Sequence, residues 1–277
     1  MKKIIYILLN PMRNIENESF LFEIGFFKGI LLLLCWIVLS SIFTFIPSLI
    51  FNEDFLQTHY IILGLFELAS IPLITFILSR VFGKVTFKKN TYSKVSKDTL
   101  FSIFLLVFCF RLLFDAYLYP LVSLLPESEL LTNASEIYEN NILYCLLAVW
   151  ICAPIIEEIT CRGILLSGLL NKYSPKISIF LSSLLFAIMH GNLKQGIHAF
   201  LFGLILGYLY YKTKSIYITM FAHFSNNVLA LLLIIPTSIK EMIAIAILYT
   251  LISIPLIIYL KLHLKLKYKA NFIDTLK

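Results

Sequence analysis

The stretch YCLLAVWICAPIIEEITCRGILLSGLL, Tyr144 to Leu170, decides how this chain is read. Its apolar run exceeds the about 20 residues that a helix needs to cross a bilayer. Yet Glu157-Glu158-Ile159-Thr160-Cys161-Arg162 stands in its middle. One ionisable side chain near the bilayer centre costs roughly 2.5–3.5 kcal/mol. Three would cost on the order of 8–10 kcal/mol, comparable with the whole stability of a domain at about 5–15 kcal/mol. A single ion pair offsets part of that, and the carboxylate left over needs another reason to be there. Ionisable groups inside a span are functional suspects by default.

The rest of the chain supports a membrane setting. It is 60% hydrophobic and only 14% charged over 277 residues, with a mean hydropathy of +0.90. An ordinary soluble domain is about 45–50% apolar. No long polar block is present to build a second domain, so residues 1–277 are expected to form a single membrane domain. Hydropathy marks about eight spans, at 26–50, 59–83, 99–125, 142–170, 177–190, 196–211, 215–235 and 241–261. The fifth and sixth are short and suit partly buried helices. Continuous apolar runs exclude a β-barrel, whose strands alternate over about ten residues. The expected fold is an all-α, polytopic membrane bundle.

Loop charge sets the expected orientation. Lys2, Lys3 and Arg13 precede the first span, and Arg80, Lys84, Lys88, Lys89, Lys94 and Lys97 follow the second. Lys172, Lys176, Lys212, Lys214, Lys261, Lys265, Lys267 and Lys269 fall in later loops of the same side. The alternate loops carry Glu53, Asp54, Glu127, Glu129, Glu136 and Glu139. Both ends of the chain are therefore expected in the cytoplasm of a multi-pass cell-membrane protein. The net charge of +7 belongs to this anchoring and to anionic lipid headgroups. No basic face interleaved with aromatics argues for nucleic acid. The five cysteines all lie inside spans without metal-ligand spacing, which suits small buried hydrophobes. Asn133-Ala-Ser is a weak glycosylation sequon.

At about 100° per residue, Glu158 and Arg162 lie about 40° apart on the helix surface, and Glu157 and Arg162 about 140° apart. Glu158–Arg162 thus reads as a structural ion pair and Glu157 as the carboxylate free for chemistry. The bland alternative is one ion-pair cluster without a catalytic role.

Two further spans carry polar groups. Ser174-Pro175 suits a helix start and His190-Gly191 a helix end. His223 and Asn227 share a face at four-residue spacing. Counted at about 1.5 Å per residue from the lysine anchoring each helix, Glu157 lies roughly 22 Å deep, His190 roughly 21 Å and Asn227 roughly 20 Å. His223 comes out shallower, at roughly 14 Å. Three helices are thus expected to bring a carboxylate, an imidazole and an amide to one layer.

These residues resemble the intramembrane CAAX-prenyl-protease and bacteriocin-processing (Abi, or CPBP) family. Its EExxxR motif stands here as Glu157-Glu158-Ile-Thr-Cys-Arg162, FxxxH as Phe186-Ala-Ile-Met-His190, and HxxxN as His223-Phe-Ser-Asn-Asn227. The three occur in order on separate apolar segments, over roughly 142–235. Cys161 stands where the family often has an aromatic. The resemblance implies an intramembrane endopeptidase, with Glu157 and His190 holding the water and His223 and Asn227 donating to the oxyanion. It implies prenylated C-terminal peptides, bacteriocin leader peptides or other membrane-bound polypeptides as substrates.

The chemistry agrees with those roles. Peptide hydrolysis needs a base for water and donors for the developing oxyanion. Ser225 points away from both His223 and Asn227, against a serine protease. The favoured reading needs no cofactor. The metalloprotease alternative places zinc on Glu157, His190 and His223 with water in the fourth position. A proton- or ion-coupled transporter and a non-catalytic immunity or scaffold protein are the rival functions.

Overall fold

The computed structural model describes residues 15, 20–85, 96–126, 137, 140–232 and 238–274. The N-terminal lysines, Lys88, Lys89, Lys94, the acidic loop at 127–136 and its sequon lie outside the described residues.

The fold is an all-α membrane bundle. Its helices are α1 (Phe26–Ile50), α2 (Glu53–Thr58), α3 (Ile61–Phe82), α4 (Lys97–Val122), α5 (Ile142–Leu170), α6 (Pro175–Met189), α7 (Leu193–Thr213), α8 (Ile216–Leu232) and α9 (Ile239–Asp274). Among the described residues α1, α3, α4, α5 and Ile239–Lys261 of α9 are long and apolar enough to cross a membrane, and α6 is a shorter apolar helix. The protein is a multi-pass membrane protein.

Contacts divide the chain into two units, Met1–Lys94 with Glu127–Phe224, and Val95–Pro126 with Ser225–Lys277. The first has a core in which Ile159, Ile164, Leu165 and Leu166 of α5 are fully buried with Ile24, Leu32, Ile74 and Phe186. It also holds an element that composition did not announce. Strands β1 (Phe20–Phe22) and β2 (Gly83–Val85) pair antiparallel, with Leu21 opposite Lys84. Phe20 and Phe22 point inward while Leu21 is exposed, the period of two expected of a half-buried strand. The ribbon ties the start of α1 to the end of α3. In the second unit Leu112, Ala116 and Tyr249 form a small core, and Arg111 pairs with Asp115 at 2.8 Å within α4.

Helix α5 departs from a regular α-helix. Leu146–Cys152 and Ile159–Leu166 are π-helical, with α-helical Ala153–Glu158 between them. The Ser167 N–H bonds back to the Arg162 carbonyl, five residues earlier. Pro154 contributes: it has no N–H to give, so the preceding turn must rearrange its bonding. Single π turns inside helices occur often at functional sites.

Helices α6 and α7 approach closely at Gly203 and Gly207, one helical turn apart. A Cβ at Gly203 would lie 3.1 Å from the Ser183 Cβ, and one at Gly207 3.0 Å from Ile179. Small residues four apart are a standard route to close packing of membrane helices. We expect Gly203→Leu to cost about 1–3 kcal/mol through overpacking, read as a lower midpoint of thermal unfolding in detergent. An unchanged midpoint would show that this contact is loose.

Candidate active site

Helix α5 places Glu157 and Glu158 side by side, but their surroundings differ. Glu158 is fully buried, and Glu157 keeps 16% of its side chain exposed. The Glu158 carboxylate accepts from Arg162 Nη1 at 2.8 Å. The same Oε1 lies 2.8 Å from His223 Nδ1 on α8. Arg162 is itself fully buried. Its second amino group reaches the Gly203 carbonyl at 3.4 Å, and its guanidinium lies over the Phe186 ring at 4.5 Å. An aromatic face at that distance is attractive to a desolvated cation. The glycine on α7 therefore does two things: it lets α6 come close and it offers a backbone acceptor to a charge with no water.

His223 is buried between two aromatic rings, Phe186 and Phe202, each 5.9 Å away edge-on. With a carboxylate oxygen against Nδ1, that nitrogen carries the proton. The opposite edge then faces Glu157, whose Oε2 is 3.9 Å from Nε2. That is beyond a hydrogen bond.

His190 caps the C-terminal end of α6. Its Nδ1 is 2.8 Å from the Phe186 carbonyl. A carbonyl can only accept, so Nδ1 donates and Nε2 is left as the basic nitrogen. Gly191 follows with φ +69°, the left-handed conformation that ends a helix and favours glycine. Ser174 sits at the cap position of α6 with Pro175 following, but its side chain makes no capping bond. Asn227 lies one turn beyond His223 on α8, in the second unit. There Asn226 Nδ2 donates to Asn227 Oδ1 at 3.1 Å.

Two expectations need correction. Glu158 was read only as the partner of Arg162, whereas it is also the direct partner of His223. The depth count placed His223 well short of Glu157, whereas the two are neighbours. The first depends on which face of α8 meets α5, and the second on assuming 3.6 residues per turn throughout α5. The π-helical stretch between Glu157 and Lys172 winds more residues into each turn, so each residue advances less along the axis.

The zinc alternative can be tested on the donors themselves. A catalytic zinc takes three protein ligands. Among the described residues no three His, Cys, Asp or Glu side chains converge as a metal requires. His223 Nδ1 is held by Glu158, and His190 Nδ1 turns into its own helix. The set Glu157, His190 and His223 is therefore not preformed.

Two groups inside spans escaped the sequence reading. Glu67 on α3 accepts from the Tyr144 hydroxyl at 3.3 Å, and Arg111 pairs with Asp115. Their signal was present, since each is an ionisable residue in an apolar run.

Residues 139–229 match the family model described as Type II CAAX prenyl endopeptidase Rce1-like. A protein of Bacillus subtilis (strain 168), "Putative membrane peptidase YdiL", is 35% identical over 77 residues, 28% of this chain and 32% of that protein. The chain thus spans about a third of the length of that relative. No solved structure matches.

Proposed function

Starting from residues 139–229 as a segment of the Rce1-like CAAX prenyl endopeptidase family, we propose that this chain is an intramembrane endopeptidase acting on a membrane-associated protein or peptide. One observation carries the assignment of roles. Of two adjacent carboxylates, Glu158 is buried and held by Arg162 and His223, each at 2.8 Å. Glu157 is part-exposed and has no contact with His223 nearer than 3.9 Å. The held carboxylate positions the histidine. The accessible one meets water.

In this mechanism Glu157 takes a proton from water as the oxygen attacks the scissile carbonyl. His190, with Nε2 as its basic nitrogen, holds or shares that proton. The tetrahedral oxyanion receives hydrogen bonds from the His223 Nε2 edge and from the Asn227 amide, the kind of preorganised donor that lowers such barriers most. With Nδ1–H committed to Glu158, donation from Nε2 uses the doubly protonated ring. Glu157 then returns its proton to the leaving amine. Glu158 and Arg162 act through His223 and are positioning residues. A peptide bearing a lipid anchor fits this setting, because the reacting groups sit on membrane helices.

The test compares protein N-termini in membranes expressing the wild-type chain with those expressing Glu157→Gln at equal level. New N-termini in the wild-type sample alone support the proposal. Identical N-terminal profiles would refute it.

The orientation belongs to the same proposal. Eight membrane-associated segments with both ends in the cytoplasm put most of the loop lysines and arginines on one side. Reporter fusions after Lys277 and near Leu130 should report opposite faces. The same face for both would refute that topology.

A further inference from the structure

We propose that the first unit binds one anionic glycerophospholipid in the groove between α1 and α3, independently of any peptidase activity. The groove has a volume of about 330 Å³, within the range of about 300–1,000 Å³ usual for ligand sites. Leu34, Val38 and Leu39 of α1 and Ile77, Val81 and Phe82 of α3 line it, and its walls are wholly apolar. Leu34, Val38 and Val81 are more than half exposed. An apolar trough of this kind on a membrane helix pair suits an acyl chain.

The occupant is specified by what stands at one end. The Lys28 ammonium lies 6.0 Å from the centre of the Phe82 ring, and Phe82 is itself a wall of the groove. From Lys28 to Leu39 is 11 residues, or about 16 Å of helix. That is roughly one leaflet of a hydrocarbon core about 30 Å thick. On α3 the lining residues run back from Phe82 through Val81 to Ile77, so both helices lead away from the cation. Lys84 is already paired with Glu23 at 3.8 Å. Among the described residues Lys28 has no carboxylate partner.

A cation at the headgroup end of an apolar groove selects a lipid with a net negative headgroup. Lipids of the same tails with a zwitterionic headgroup fill the groove without the charge term. Basic sites between membrane helices recognise anionic headgroups in this way, each cation near the surface being worth about 1 kcal/mol.

The experiment competes phosphatidylglycerol against phosphatidylcholine with identical acyl chains on the full chain in detergent, read by native mass spectrometry. Phosphatidylglycerol is expected to be retained preferentially. Lys28→Gln should weaken it about fivefold, with phosphatidylcholine unchanged. Lys28→Arg should keep the preference. On the wild-type chain, added salt should erode it by screening, which needs no variant to fold. Val38→Trp with Val81→Trp fills the groove and should reduce retention of both lipids. Equal retention of the two lipids by the wild-type chain, or a preference undiminished in Lys28→Gln, would overturn the headgroup assignment. Undiminished retention after groove filling would overturn the acyl placement.

Discussion

Glu157→Gln is expected to lower kcat/KM for the natural substrate by about 10²–10⁴-fold, the range for loss of a positioned general base. The protein should remain inserted and folded, because Glu157 is part-exposed and its Oε2 stands 3.9 Å from His223 Nε2, beyond a hydrogen bond. Glutamine keeps the shape and a hydrogen-bonding oxygen and removes only the base. The check is cleavage of a substrate peptide identified from the N-terminal comparison, alongside the thermal midpoint in detergent. Retained activity would remove Glu157 from the chemistry. A collapse of the midpoint by several degrees with activity lost would make it a structural residue instead.

Glu158→Gln is expected to lower stability as well as activity. It strands Arg162, which is fully buried, and takes the anionic partner from His223 Nδ1. Breaking a buried ion pair from one side costs roughly 3–5 kcal/mol, so unfolding should occur at clearly lower denaturant or temperature, with reduced yield. The double variant Glu158→Gln, Arg162→Met separates stability from function. Replacing both members of a buried pair by neutral groups of similar size is often close to neutral, so much of the stability should return. Activity should not return, because His223 has lost the group that orients it. A double variant as active as the wild type would show that Glu158 orients nothing. One as unstable as the single variant would show that the pair is not the source of the loss.

The two glutamates thus predict different effects on stability from neighbouring positions of the same type. That contrast was only half legible in the sequence. The four-residue spacing of Glu158 and Arg162 was enough to expect their pairing, since i and i+4 share a helix face whatever packs around it. The partnership of Glu158 with His223 was not, because it depends on which face of α8 meets α5. The π-helical stretch at 159–166 also defeated the depth count.

Glu67 shows another boundary of sequence reading. Its place in an apolar run marked it as costly, but nothing local named Tyr144, 77 positions away, as its donor. The β1–β2 ribbon went unseen for a related reason: three residues carry too little alternation to be separated from an apolar run.

What the sequence determined by itself was the solvent and the local inventory. Continuous apolar runs cannot satisfy their backbone in lipid except as helices, so composition alone dictated an all-α membrane protein. Loop lysines gave an expected orientation, and three short motifs marked Glu157, Glu158, Arg162, His190, His223 and Asn227 as residues with a reason to be there. Tertiary structure decided which of those groups hold one another. Gly203 and Ser183 let α6 and α7 close on each other, and that approach brings a carbonyl and an aromatic ring to Arg162. With its charge satisfied, Arg162 holds Glu158, and Glu158 in turn holds His223. Glu157, one residue earlier on the same helix, is left part-exposed because those partners are already taken. Helical spacing is local and fixed by the backbone. Which neighbour supplies the acceptor is a matter of helix packing, and no single segment of this chain contains it.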